Sequence, residues 1–166
     1  IRSDLKCKLI RGNVDTRIKK LNEGLYDAII LSYAGVNSLK MNDKISEIFS
    51  VEDLIPSAGQ GIISLQCREN DNKILSILKK INHHETNQRA KAERNVLKIL
   101  EGDCETAVGA HATIQGNKIT LEAELFSLDG TQRFYEKKTS KIDNANELGK
   151  EIGQILKKKS NNNYKK

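Results

Sequence analysis

The stretch that decides the fold is Val108–Phe126, VGAHATIQGNKITLEAELF. Apolar and polar residues alternate through 108–114 and again through 119–125, the period of strands with one buried face. Gln115-Gly116-Asn117 between them reads as a tight hairpin turn, and Asp129-Gly130 as a second. The pattern predicts three antiparallel strands near 107–115, 118–127 and 131–138. Helical spacing flanks them: a long helix over His84–Leu100, and one over Asn144–Lys158 with its apolar face at Leu148, Ile152, Ile155 and Leu156. An α-β-β-β-α order places both helices on one face of the sheet.

Upstream the pattern changes. Lys6–Ile10 reads as a short strand, and Val14–Leu21 has apolar residues at 14, 18 and 21, with Asn13 as N-cap and Gly24 as terminator. Tyr26–Ser32, YDAIILS, is a continuous apolar run of the kind found in buried parallel strands. A helix is expected from Ala34 to Leu39. Strand–helix–strand–helix at this length is a βαβ unit. Residues 50–61, SVEDLIPSAGQG, hold the only proline and form a loop or a crossing between lobes. Ile62–Cys67 reads as a further strand and Asn72–Ile81 as an amphipathic helix. The fold class expected is therefore α/β followed by α+β. Parallel strands want cover on both faces, so residues 1–57 read as part of a larger lobe and the chain as a C-terminal fragment.

Charge and composition narrow the function. The net charge of +6 suggests nucleic acid until it is located. Five of the 28 basic residues are Lys157, Lys158, Lys159, Lys165 and Lys166, with no acid in 155–166. The other 154 residues carry 23 basic and 22 acidic side chains. The tail 157–166, KKKSNNNYKK, reads as a solvated, frayed end. Aromatics are 4% and Trp is absent, so base-stacking platforms are scarce. No apolar run approaches the ~20 residues of a membrane span. Three widely spaced cysteines, Cys7, Cys67 and Cys104, argue against a disulfide framework and for a reducing compartment. There is no CxxC or HExxH to suggest a metal site.

Three local features have chemistry. In Arg11-Gly12-Asn13-Val14-Asp15-Thr16-Arg17, two arginines flank a helix start, where N–H groups favour anions. The alternative is solvated arginines, or Arg17 paired with an acid such as Asp27. Ser57-Ala58-Gly59-Gln60-Gly61 either lets backbone approach a ligand or is a plain turn or hinge. Glu101-Gly102-Asp103-Cys104-Glu105-Thr106 places a thiol on a loop after a long helix, with two flanking acids that oppose thiolate formation unless arginines converge. Cys7 and Cys67, in expected strands, read as packing thiols. His83-His84 reads as helix capping or packing rather than a metal pair.

Taken together the segments RGNVDTR (11–17), YDAIILSYAG (26–35), IPSAGQG (55–61), NHHET (82–86) and AERNVLKILEGDC (92–104) resemble the porphobilinogen deaminase (hydroxymethylbilane synthase) family in order and spacing. The resemblance implies three domains, two of them like the lobes of periplasmic binding proteins. Residues 1–57 would end domain 2, 58–82 would return to complete domain 1, and 83–166 would form domain 3. It implies a transferase that joins four porphobilinogens head to tail with loss of ammonia and releases hydroxymethylbilane. The chain grows on a dipyrromethane cofactor held as a thioether, and the matching cysteine is Cys104. Loss of ammonia from porphobilinogen makes an electrophilic methylene carbon, and a soft thiol is a good nucleophile for it. Each ring adds an acetate and a propionate, hence the need for arginines. Arg11 and Arg17 match carboxylate-binding arginines, and Gln60 and Gly61 match a cleft-lining segment. Arg94, in the signature helix, is expected to hold the cysteine loop.

This sequence departs from the family pattern at three places. Asp103 stands where glycine is usual, Ala107 where proline is usual, and Ser38 where an arginine is common, with Lys40 as a partial substitute. The catalytic aspartate is expected upstream of Ile1, so none of these residues is expected to be catalytic, and the 166 residues alone are expected to be inactive. Expected partners are porphobilinogen, the growing polypyrrole and the N-terminal domain of the same protein. Neither nucleic acid nor membrane is expected, and the state expected is a monomer in cytoplasm or plastid stroma. The competing reading is a non-catalytic anion-binding lobe fused to a small ligand-sensing domain.

Overall fold

The computed structural model of the chain describes residues 4–103 and 106–165. It divides into two compact units, Ile1–Ile48 and Phe49–Lys166.

The second unit is built on the predicted hairpin. Strands β1 (Val108–Gln115), β2 (Lys118–Phe126) and β3 (Arg133–Lys141) form an antiparallel sheet in the order β1-β2-β3. The register pairs Val108 with Leu125 and Gln115 with Lys118, which leaves Gly116-Asn117 as the turn. Gly116 sits at φ 58°, where a side chain would be strained. Alternation puts Ala110 and Ala112 on one face with Ile119, Leu121, Ala123 and Leu125. Two helices cover that face: α4 (His84–Leu100), through Ala92, Val96 and Leu100, and α5 (Ala145–Ser160), through Leu148, Ile152 and Leu156. The helices approach closely because α5 carries Gly149 and Gly153. A Cβ at Gly149 would collide with the Ala92 carbonyl oxygen, and one at Gly153 would lie 2.7 Å from the Ile99 Cβ.

Each edge of the sheet is managed differently. β3 alternates half-buried and exposed residues and is rich in lysine, which discourages strand addition. The edge of β1 is covered from within the chain. Ala110 N–H donates to the Pro56 carbonyl at 2.9 Å, and buried Ile55 packs where Gly109 lacks a Cβ.

The tail departs from the expectation of a frayed end. Helix α5 runs on to Ser160. Asn161 and Asn162 (φ 47° and 59°) then reverse the chain in the left-handed conformation that Asn tolerates best after Gly. Tyr164 is 2% exposed and belongs to the core. Counting lysines in 157–166 hides this one aromatic, whose apolar ring outweighs the charge around it.

In the first unit the helices form as expected: α1 (Val14–Asn22) and α2 (Tyr33–Ser38). Asn13 precedes α1 without a side-chain cap bond. Gly24 (φ 73°) ends it: its N–H donates to the Leu21 carbonyl, and Leu25 N–H to that of Lys20, a Schellman closure. The strands expected at 6–10, 26–32 and 62–67 do not form ladders; all three segments are without regular structure. Leu9, Ile30, Ile63 and Leu65 are exposed. A parallel strand gains its stability from a paired neighbour and cover on both faces, and nothing among the described residues supplies these. Helix α3 (Asn72–Ile81) forms within its predicted bounds, with Asp71 accepting from Ile74 N–H, but buries none of its residues. Among the described residues no helix is long and apolar enough to cross a membrane.

Candidate functional site

In the first unit, Gly12, Asn13, Asp15, Arg17, Ser32 and Ser38 are among the residues lining one open depression between α1 and α2. Of the predicted site residues it brings together Arg17 and Ser38. Gly12 (φ 124°) turns the chain sharply into α1, and its carbonyl accepts from Arg17 Nε at 2.7 Å. That bond fixes the guanidinium and leaves its two Nη groups as donors. Arg17 makes no ion pair with Asp27. Arg11 is exposed and does not line the depression; its carbonyl accepts from Lys20 Nζ at 2.9 Å. Ser38 Oγ donates to the Ala34 carbonyl at 2.7 Å, which ties it to its own helix. Lys40 stands in the left-handed region at φ 56°.

In the second unit, Gln60 and Gly61 lie in consecutive tight turns: Gln60 N–H donates to the Ser57 carbonyl and Ile62 N–H to that of Gly59. The loop is held by a residue whose role the sequence does not reveal. Glu93 is buried on α4. One carboxylate oxygen accepts from Gly59 N–H at 2.7 Å and the other from Ala112 N–H on β1 at 2.9 Å. Arg94, expected to brace the cysteine loop, is exposed and has no hydrogen bond or ion pair among the described residues, which leave out Cys104 and Glu105 of that loop. The only signal for Glu93 is a lone acid in the apolar stripe of Ala92, Val96 and Leu100.

Cys104 lies outside the described residues, as does Glu105. The loop around them is defined on both sides. Asp103 carboxylate accepts from the Thr106 N–H and hydroxyl, both at 3.1 Å, and Asp103 N–H donates to Thr106 Oγ1 at 3.1 Å. Asp103 thus acts as a turn former. Glu101 ends α4 at φ 55°. Its carboxylate meets Lys165 at 2.6 Å and Lys157 at 3.4 Å, and these cations, Lys165 first, hold it below the usual carboxylate range.

Cys7 is exposed and free, which corrects its reading as a packing thiol; Cys67 is free and half-buried. His83 caps α4 as expected, its Nδ1 accepting from Thr86 N–H at 3.3 Å. Among the described residues no group of three His, Cys, Asp or Glu is placed to hold a metal.

These features define a mixed helix–strand protein with a fixed arginine over an open depression and a loop held at Glu101, Asp103 and Thr106. Residues 1–76 match the family described as porphobilinogen deaminase, dipyromethane cofactor binding domain, and residues 87–158 match porphobilinogen deaminase, C-terminal domain. The chain belongs to the porphobilinogen deaminase family. It is 40% identical over 155 residues to the porphobilinogen deaminase of Desulforamulus reducens, covering 93% of this chain and 50% of that one. Against the enzyme of Staphylococcus carnosus identity is 40% over 156 residues, with 93% and 50% covered. Against that of Nitrobacter hamburgensis it is 34% over 164 residues, with 99% and 52% covered. The chain spans about half the length of the curated relatives it matches.

Proposed function

We propose that this chain is part of a porphobilinogen deaminase, the transferase that condenses four porphobilinogens head to tail, with loss of ammonia, into hydroxymethylbilane for tetrapyrrole synthesis. One observation carries the reading: two matches to the same family, in order, over residues 1–76 and 87–158. In this reading residues 1–57 end a periplasmic-binding-protein-like second domain, 58–82 return to the first, and 83–166 form the third. Porphobilinogen, the growing polypyrrole and the N-terminal domain of the same protein are its partners. The whole acts as a monomer in a reducing compartment, cytoplasm or plastid stroma.

The residues have separate tasks. Cys104 anchors the dipyrromethane through a thioether. The chemistry that group supplies when bound is a pyrrole α-carbon for chain growth. Arg11 and Arg17 bind acetate and propionate side chains. The donor set suits this: Arg17 keeps two Nη groups that match a carboxylate fork, and its Nε bond to the Gly12 carbonyl fixes their direction. Ser38 brings no charge and its one hydroxyl proton goes to the Ala34 carbonyl, so carboxylate binding rests more heavily on Arg17. Gln60 and Gly61 line the cleft from the loop that Glu93 holds. Proton transfer at the reacting carbons falls to an aspartate of the first domain, so the 166 residues alone bind and anchor without turning over.

Intact mass measurement of the protein carrying the N-terminal domain tests the proposal. The wild type should carry a covalent dipyrromethane and give a pink Ehrlich reaction, and Cys104→Ser should show neither. An adduct that survives Cys104→Ser refutes the assignment.

A further inference from the structure

The last four carbonyls of a helix have no partner within it. In α4 all four are satisfied, and two of the partners come from the far end of the chain. Gly102 N–H donates to the Leu97 carbonyl at 3.0 Å and Glu101 N–H to that of Lys98 at 3.3 Å. Lys157 Nζ reaches the Ile99 carbonyl at 3.4 Å, and the Tyr164 hydroxyl donates to that of Leu100 at 2.9 Å. Lys165 and Lys157 then pair with the Glu101 carboxylate. Glu101 occupies the left-handed position of a Schellman turn, where glycine is usual, so its backbone needs such support. The tail is itself anchored at a third point: Leu128 N–H donates to the Asn163 carbonyl at 3.0 Å, and Asn163 Nδ2 to Gln132 Oε1 at 3.3 Å.

We propose that Tyr164 and Lys165 are positioning residues: they clamp the turn at Glu101 and so fix how the chain leaves α4 at Gly102, ahead of the segment that carries Cys104. This rests on the reading of Cys104 as the anchor, but the clamp can be measured without it. A buried hydroxyl on a helix-terminal carbonyl and two cations on one carboxylate constrain the direction of a loop more than they stabilise a domain. Exposed ion pairs contribute little to global stability.

Amide hydrogen exchange on the intact protein tests the clamp. In Tyr164→Phe the ring still fills the core, but the Leu100 carbonyl loses its donor. In Lys165→Gln one cation leaves Glu101. Either variant should speed exchange at Gly102 and Thr106 by roughly tenfold, about the worth of one hydrogen bond. Leu121 and Ile152 in the core should be unchanged. The rate of covalent pyrrole attachment should fall in both, and Lys165→Arg should restore it. Unchanged exchange at Gly102 and Thr106, or equal acceleration at Leu121 and Ile152, overturns the proposal. Faster loop exchange in a protein that attaches no pyrrole even as wild type upholds the clamp and refutes the anchor.

Discussion

A carboxylate oxygen of Glu93 lies 2.7 Å from the amide nitrogen of Gly59, which is 34 residues away. Through this bond, and the matching one to Ala112, a single buried side chain joins three pieces of backbone: loop 57–61, helix α4 and strand β1. A carboxylate suits the site because both groups facing it are donors. Among the described residues no lysine or arginine pairs with it, and two backbone N–H groups offset the cost of burying its charge.

Glu93→Gln tests that bridge. A glutamine keeps one carbonyl oxygen but turns its NH2 toward an N–H donor, so one backbone amide loses its acceptor. The expected loss is about 2–3 kcal/mol by denaturant unfolding, the worth of a hydrogen bond to a charged group plus an unsatisfied donor. Exchange at Gly59 should rise more than at Leu121. A variant as stable as wild type, with Gly59 still protected, would show that the bridge does not hold the loop.

Gly149→Ala probes the contact of α4 and α5. The added methyl meets the Ala92 carbonyl oxygen, a backbone atom that moves only with its helix. Helix propensity favours alanine by roughly 1 kcal/mol. Overpacking costs about 1–3 kcal/mol, and more where backbone must shift. Net destabilisation is expected, read as a lowered Tm; an unchanged or raised Tm would mean that the helices separate freely.

Glu101 gives the turn at the end of α4 a pH dependence at the acid end. Its folded pKa is depressed by Lys165 and Lys157. The contribution is therefore complete above the ordinary carboxylate range and is lost as pH falls through the lowered value. The gap in Gly102 amide protection between wild type and Glu101→Gln should thus be present at pH 7 and close on acidification below the usual carboxylate pKa. A gap constant between pH 7 and the acid limit would show that the ion pairs contribute nothing.

Arg17→Lys separates charge from geometry. Lysine keeps the positive charge but loses the Nε bond to the Gly12 carbonyl and the two-pronged donor. In the full enzyme, affinity for carboxylate-bearing pyrroles should fall roughly tenfold, on the scale of one charge-assisted hydrogen bond. Titration with porphobilinogen would read it. Equal affinity in wild type and variant would remove Arg17 from the binding site.

Where neighbours in sequence supply the interactions, the sequence alone was enough. The 3.6-residue spacing set α3 at Asn72–Ile81 and α4 at His84–Leu100, and alternation around Gly116-Asn117 set the hairpin. His83 as a cap and Gly24 as a terminator followed from bonds spanning three to five residues. The motifs also sufficed for the family, because residue identity in order survives without coordinates. Long-range relationships belonged to the tertiary structure alone. Glu93 looked like any acid in a helix until Gly59 and Ala112 were brought to it. Tyr164 was one aromatic in a lysine-rich tail until its hydroxyl reached Leu100, 64 residues earlier. The apolar runs at 6–10, 26–32 and 62–67 show the same limit from the other side. A strand is completed by its partner, and pairing is a property of two segments that neither one encodes alone.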